Sequence, residues 1–560
     1  MGNKINTKVL IIISMALCIF SCEAPDVHVS FVSPDDLYSP QDKPPESNNV
    51  EWTFKAWKGE KVNTQILLWS EVPLKEIEIE KGELVGPNAK LGKQNIDISF
   101  LGYVWSDSGA ARKKGCAVEQ GQDSILVADV IENIKYKNVS ANTLQPIWLS
   151  IDIPKDTPAG LYQGSIRFLS KGDQSGPTLK YSVEVGNRVL PDPKEWSFYL
   201  NLWQNPDAIA RVHDVEKWSP EHLEAMKPYM RKLMEAGQKV ITTTLIHDPW
   251  NSQTKDVYDT MIKWTKEIDG SWRYDYSVFD RYVTSMLENN QDGLIESFSM
   301  IPWNLKFYYH DENLGKDTVL VAEPGSFEYR DHWKPMLSDF ARHLKDKGWF
   351  DQTAIAMDER PMEAMQEAIK IIKAADKDFK ISLAGNYHPE IESSIFDYSV
   401  FLGESIANEK LAERRSKGLK TTIYTSCSHE YPNTFTGFPP AESAWLGWFV
   451  ASEGYDGYLR WAYNSWPKDP LFDSRFGSWP SGDTYLIYPG ALSSVRFERL
   501  IEGIEDYEKI RILKEDFQKN NQEEKLAALE EILNEFTVKA LDHNQTGEMV
   551  KRANKAINDF

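Results

Sequence analysis

The feature that most constrains this 560-residue chain is an alternation that begins after Trp196. Short apolar runs, "FYLNLW", "VITTTLI", "IESFSMI", "TAIAM", "KISLAG", "YSVFLG", "TTIYTS" and "GYLRWAY", are separated by longer segments of helical period. Runs of this length, rich in β-branched and aromatic residues and followed by a helical stretch, are the pattern of repeated βα units. In residues 361–375, Met362, Met365, Ile369 and Ile372 recur at helical spacing, and Pro361 suits a first helical turn. Eight such units over about 280 residues predict an α/β fold, a (β/α)8 barrel.

The flanks read differently. Between Val29 and Leu190 lie short strands such as "NTQILLW", "PIWLSIDI" and "YQGSIRFL", bounded by turn clusters such as "PKDTPAG" and "KGDQSG". That rhythm predicts a β-sandwich, and "NRVLPDPKEW", with its two prolines, is a linker into the barrel. Beyond Arg511 the chain reads as amphipathic helices whose apolar stripe is Leu526, Leu529, Ile532 and Leu533. The expected division is a signal peptide at 1–21, a sandwich at 22–192, a barrel at 193–495 and a helical segment at 496–560. The sandwich is expected to brace the barrel, although a module of this kind could itself bind glycan.

At the N-terminus, Lys4 and Lys8 precede the run "VLIIISMALCIF", followed by Ser21 and Cys22. The run is shorter than a comfortable membrane span and has the form of a secretory signal. "IFSC" resembles a bacterial lipoprotein box, which makes Cys22 the expected lipidation site; the alternative is an ordinary cleaved signal. The membrane would then be met only through an N-terminal lipid anchor, on the bacterial cell envelope. Of the other cysteines, Cys18 leaves with the signal, and Cys116 and Cys427 are so far apart in sequence that no disulfide framework is expected. Lys+Arg of 63 against Asp+Glu of 84 leaves a net charge of −21, which repels phosphate backbones and excludes a nucleic-acid partner. Nineteen tryptophans keep carbohydrate in view, because flat amphipathic rings suit the faces of sugars as well as cores.

Barrel enzymes place their chemistry just beyond the strands. Following the eight runs in order, those positions hold Trp203 and Asn205, His247 and Asp248, Trp303 and Asn304, Asp358 and Glu359, Asn386 to His388, Glu404, Cys427 with His429 and Glu430, and Tyr463 to Trp466. The histidines fall singly on different strands, so no metal site is expected, and no phosphate-cradling glycine loop or other cofactor motif is present. Carboxylates rimmed by Trp, Tyr and Asn suit glycoside hydrolysis, which needs a proton donor, a group to stabilise an oxocarbenium-like centre, and rings to hold sugar. The centre of this set is "IAMDERP", where an apolar strand ends at the adjacent acids Asp358 and Glu359.

The segments "AMDERP", "EYPNTF", "GYLRWAYNSW", "YPG" and "SSVRFERLIEGIEDYEKI" resemble glycoside hydrolase family 123, the β-N-acetylgalactosaminidases, over about residues 196–513. This resemblance implies an exo-acting, retaining hydrolase that releases terminal β-linked N-acetylgalactosamine from glycans. It works by substrate-assisted catalysis, with the 2-acetamido oxygen attacking the anomeric carbon to form an oxazolinium. Asp358 would orient the acetamido group and Glu359 would be the general acid and base, with one of the pair raised in pKa by the other's charge. Tyr463, Asn464, Trp466 and Tyr485 are expected to hold or wall the acetamido group, and Trp303, Asn386 and His388 to contact hydroxyls or ring faces. Packing is an equal alternative for each, and barrel core is one for Trp461. Trp445 and Trp448 fit a helix face; Arg496 and Glu505 are the members of the following helix able to reach the cleft. Three other readings stay open: a β-N-acetylglucosaminidase, a retaining glycosidase using Glu430 as nucleophile, and a non-catalytic glycan-binding surface lipoprotein.

Overall fold

The computed structural model describes residues 27–46, 48–108, 116, 124–171, 175–288, 290–429, 431–542 and 545–560. The signal segment, Cys22 and Glu430 lie outside the described residues. The N-terminal region is a sandwich of two sheets. One runs in the order His28–Val32, Lys61–Trp69, Gln145–Asp152, Ile96–Asp107 and Ser124–Ile131, and the other in the order Glu51–Lys58, Thr178–Val189, Gly160–Leu169, Leu74–Lys81 and Tyr136–Val139. Period-two alternation builds the core: along Gly160–Leu169, Tyr162, Ile166 and Phe168 point inward while Leu161 and Arg167 face water.

All eight expected barrel strands form. They are Tyr199–Leu202, Val240–Thr244, Leu294–Phe298, Thr353–Met357, Lys380–Gly385, Asp397–Phe401, Lys420–Tyr424 and Gly457–Arg460, each parallel to its neighbours. Between the first and second strands the barrel is closed by one bridge, Leu200 to Gln238, next to the Lys239 N–H donated to the Leu200 carbonyl at 2.9 Å. The second, third and fourth strands are buried along their whole length, as parallel strands covered on both faces must be.

Two features depart from a regular barrel. The fifth crossover, residues 386–396, has only the 3-10 turn Glu392–Ser394, because it is shorter than the dozen or so residues that a helical return needs. Beyond the second and third strands the chain adds a four-stranded sheet, in the order Trp272–Asp275, Lys263–Lys266, Lys306–Asp311 and Lys316–Val321. Its sequence signal is the Asp269-Gly270 turn, where Gly270 takes φ 85°, between two strand-like runs.

Helix Met362–Ala375 buries Met365 and Ile372 of its expected stripe, with Pro361 as the residue that precedes it. Trp445 and Trp448 are buried on helix Ala441–Glu453, which crosses helix Val495–Lys519 at Gly447 and Gly503. A Cβ on Gly447 would fall 1.9 Å from the Gly503 carbonyl oxygen, so only glycine permits this approach. Helices Glu523–Leu533 and Thr546–Asp559 complete the C-terminal part.

Buried ion pairs tie the sandwich to helix Val495–Lys519. Arg496 binds Asp129 at 3.0 Å, Arg499 binds Asp35 at 2.6 Å and Lys509 binds Glu60 at 2.5 Å, all buried. Pairs this enclosed, if one partner is removed, leave an uncompensated charge. A covalent link corrects the cysteine expectation: Cys116 and Cys427 form a disulfide, with Cα atoms 4.6 Å apart despite a sequence separation of 311. The fold brings a sandwich loop against the loop after the seventh barrel strand, a proximity that spacing in the sequence does not carry.

Candidate active site

The fourth strand, five buried residues, ends in two acids with opposite surroundings. Asp358 is 8% exposed, whereas Glu359 is exposed. The Trp303 indole N–H, from the loop after the third strand, donates to Asp358 Oδ2 at 2.7 Å. Arg360 Nε lies 3.5 Å from Asp358 Oδ1, and its guanidinium stacks 3.9 Å above the Trp303 ring. Trp303, Asp358 and Arg360 therefore fix one another: the ring orients the cation and its N–H holds the anion. Burial pushes the Asp358 carboxyl up; Arg360 and the Trp303 hydrogen bond oppose that rise, and the charge of Glu359 adds to it.

Glu359 is held from another side. Tyr424, the last residue of the seventh strand, donates its hydroxyl to Glu359 Oε1. Burial and the Glu359 charge both raise the Tyr424 phenol, so it remains a donor. Gly385, ending the fifth strand, leaves space beside this acid: an added Cβ would lie 3.3 Å from Glu359 Cγ. A cleft of about 240 Å³ opens here, lined by Glu359, Arg360, Pro361, Met365, Leu383, Gly385, Asn386 and His388. The Tyr398 hydroxyl pins its rim, accepting the His388 backbone N–H and donating to the Asn386 carbonyl, each at 2.7 Å. Trp203, Trp250, Tyr258, Phe298 and Tyr424 cluster with the half-buried Phe401 and Trp461.

Of the expected contact residues, Trp303, Asn386 and His388 come together with the two acids. Tyr463, Asn464, Trp466 and Tyr485 do not reach the cleft. All four are fully buried. Tyr463 donates to the Tyr229 carbonyl at 3.0 Å, Asn464 exchanges two 2.8 Å hydrogen bonds with the Asn205 backbone, and Trp466 donates to the Ile487 carbonyl at 2.6 Å. Tyr485 packs edge-on against Tyr488. The eighth strand ends at Arg460, so strand alternation no longer governs these positions. Trp461 is the half-buried residue there, with its N–H towards Asp483 at 3.4 Å and its ring edge-on to Trp479. Arg496 turns to Asp129 and Glu505 faces a different cavity, so neither serves the cleft. Tyr424 and Gly385 are the site residues that the sequence reading missed; both are final residues of their strands, inside the quoted runs.

His247 pairs with Asp259 at 2.9 Å, and His429 hydrogen-bonds the Leu402 carbonyl at 2.9 Å, so both are occupied within the protein. Among the described residues no group of three His, Cys, Asp or Glu side chains could hold a metal ion, and no helix is long and apolar enough to cross a membrane.

An eight-stranded parallel barrel with two carboxyls at the end of one strand has the arrangement of a barrel glycoside hydrolase. Residues 203–513 match the family model "Glycoside hydrolase 123, catalytic domain" and residues 31–170 match "Glycoside hydrolase 123 N-terminal domain". The chain belongs to glycoside hydrolase family 123. It is similar to a solved family 123 enzyme from Clostridium perfringens, described as acting on glycolipid glycans, with 28% identity and a TM-score of 0.87 over 95% of this chain and 98% of that one. A Parabacteroides merdae β-glucuronidase matches at 9% identity and a TM-score of 0.29, covering 84% of this chain and 51% of that one, too slight a likeness to support an argument. Comparison with curated proteins finds no match.

Proposed function

We propose that the protein is an exo-acting β-N-acetylgalactosaminidase that works with retention by substrate-assisted catalysis. The observation that carries this reading is the unequal setting of the adjacent acids: Asp358 is buried and held by Trp303 and Arg360, and Glu359 stands in the open cleft. In the first step the acetamido oxygen attacks the anomeric carbon, the glycosidic C–O bond breaks, and the leaving oxygen takes the proton of Glu359. The Asp358 carboxylate accepts the acetamido N–H and offsets the charge of the oxazolinium. In the second step water attacks the anomeric carbon, gives a proton to Glu359, and the ring C–O bond of the oxazolinium breaks. Two displacements on opposite faces return the original configuration.

Asp358 retains lone pairs for this role, since a carboxylate offers about four acceptor sites. Tyr424 occupies one oxygen of Glu359 and leaves the other for the proton in transit. The galacto preference rests on family membership. The relative's glycolipid glycan fits an N-acetylhexosamine-terminated glycan as substrate. Incubation with aryl β-N-acetylgalactosaminide, its gluco epimer and the unacetylated galactoside tests the reading. Cleavage of the first far above the others is expected, and equal cleavage of the galactoside would exclude acetamido participation. Lipid attachment at Cys22 and residence on the cell envelope complete the proposal; a lipid-bearing mature N-terminus in mass spectrometry is the expected result, and an unmodified one would refute it.

A further inference from the structure

A cavity larger than the catalytic cleft, about 630 Å³ against about 240 Å³, lies between the sandwich and helices Val495–Lys519 and Thr546–Asp559. Its size is within the roughly 300–1,000 Å³ range of ligand pockets, and domain interfaces are favoured places for them. One wall is aromatic: the Trp52 ring neighbours Phe31, 6.1 Å away at 31°, and Phe54, 5.8 Å away at 27°. Trp52 and Phe54 are only partly buried, so ring surface remains open to the cavity.

The floor is polar, and most of its groups satisfy one another. Glu60 and Asp506 share Lys509, Asp35 takes Arg499, and Asn63 donates to Glu502 at 2.6 Å. Glu505 is 5% exposed and accepts only the Lys61 backbone N–H, at 3.2 Å, on Oε1. Among the described residues no hydrogen bond reaches its second oxygen. Glu505 lines the cavity, so this oxygen is available to a ligand hydroxyl. Burial and the neighbouring Glu60 push Glu505 well up, so its neutral form can both donate and accept.

The surroundings select the ligand. The excess of carboxyls on the floor rejects anions, and no metal-binding group of three exists among the described residues. Exposed Lys55, Lys551 and Lys555 at the lip oppose an organic cation, and the polar floor opposes a purely apolar ligand. A neutral ring with one flat apolar face and hydroxyls on its edge satisfies both walls. We propose that this cavity is a second, non-catalytic saccharide site, in which Trp52 carries the sugar face and Glu505 hydrogen-bonds a ring hydroxyl. This site does not depend on the chemistry of the cleft.

The test uses the full chain with Glu359→Gln to prevent turnover. Hydrogen exchange is followed with N-acetylgalactosamine, galactose, lactose or glucose, and with putrescine and octanol as the cationic and apolar alternatives. At least one sugar should protect residues 51–58 and 499–506, and calorimetry with that sugar should lose this site on adding Trp52→Ala, with affinity falling about tenfold or more. Glu505→Gln, which keeps a hydrogen-bonding group, should retain most of the affinity. Protection of these segments by putrescine or octanol but by no sugar, or by none of the probes, would overturn the proposal, as would sugar protection that survives Trp52→Ala. Because protection is read without altering the cavity, a poorly folded Trp52 variant does not decide the outcome.

Discussion

Two pairs of carboxyls in the barrel stand in different surroundings. At the mouth, Asp358 and Glu359 are neighbours in sequence and each receives a strong donor: an indole N–H and a nearby guanidinium for one, a phenol for the other. Inside the barrel, Glu296 and Asp397 come from the third and sixth strands and are buried close enough to repel each other, with the Asn201 amide donating to Glu296 Oε2 at 3.0 Å. Burial and the Asp397 charge push Glu296 up to about 8. Burial also pushes Asp397 up to about 6, with Tyr199 opposing and Asp456 adding to the rise. The interior pair therefore keeps a proton at neutral pH, while at the mouth the rise that burial gives Asp358 is opposed by Arg360 and the Trp303 hydrogen bond. Placement in the barrel is what separates chemistry from architecture.

The sharpest way to break this comparison is to neutralise both pairs. Glu359→Gln should lower kcat on an aryl β-N-acetylgalactosaminide about 10³-fold, the general-acid contribution, whereas Glu296→Gln should leave kcat within a few-fold. Asp358→Asn is expected to cost about 10²-fold in kcat, because it removes the charge that offsets the oxazolinium. Comparable losses at Glu296 and Glu359 would dissolve the distinction. Removing only the supporting donors has smaller effects: Trp303→Phe and Tyr424→Phe should each lower kcat about tenfold with KM less affected. Steady-state kinetics on the purified variants reads all of these.

Much of the site and most of the fold can be read from the sequence, for identifiable reasons. Eight strands announce themselves because each is a short run rich in β-branched or aromatic residues between helical segments, and Asp358 and Glu359 are adjacent residues that follow one of them directly. Pairings across long sequence gaps leave no such mark: Cys116 meets Cys427, Glu296 meets Asp397, and Tyr424 meets Glu359 only once the barrel closes. The rim aromatics mislead for a local reason. Extending the eighth strand past Arg460 directs Tyr463 towards the mouth, whereas the chain turns there and buries it against Tyr229.

The interior pair also predicts a pH dependence. Raised native pKa values mean that this pair holds more protons in the native state than in the unfolded chain, so its contribution to stability is greatest in acid and falls as pH rises from about 4 towards 8. Denaturant titrations across that window should show the decline, and Glu296→Gln should flatten most of it; an unchanged slope in the variant would reassign the cause. Cys427→Ser should cost about 2–4 kcal/mol of stability by opening the loop between sandwich and barrel, measurable in the same titrations.

The central claim is that the substrate supplies its own nucleophile beside Asp358. It is tested most directly by rates on aryl β-N-acetylgalactosaminides whose acetyl group carries none, one, two or three fluorines, since each fluorine weakens the amide oxygen as a nucleophile. Acetamido participation predicts a steep, monotonic fall in kcat/KM along the series. A flat series would contradict it and would assign the displacement to a group of the enzyme.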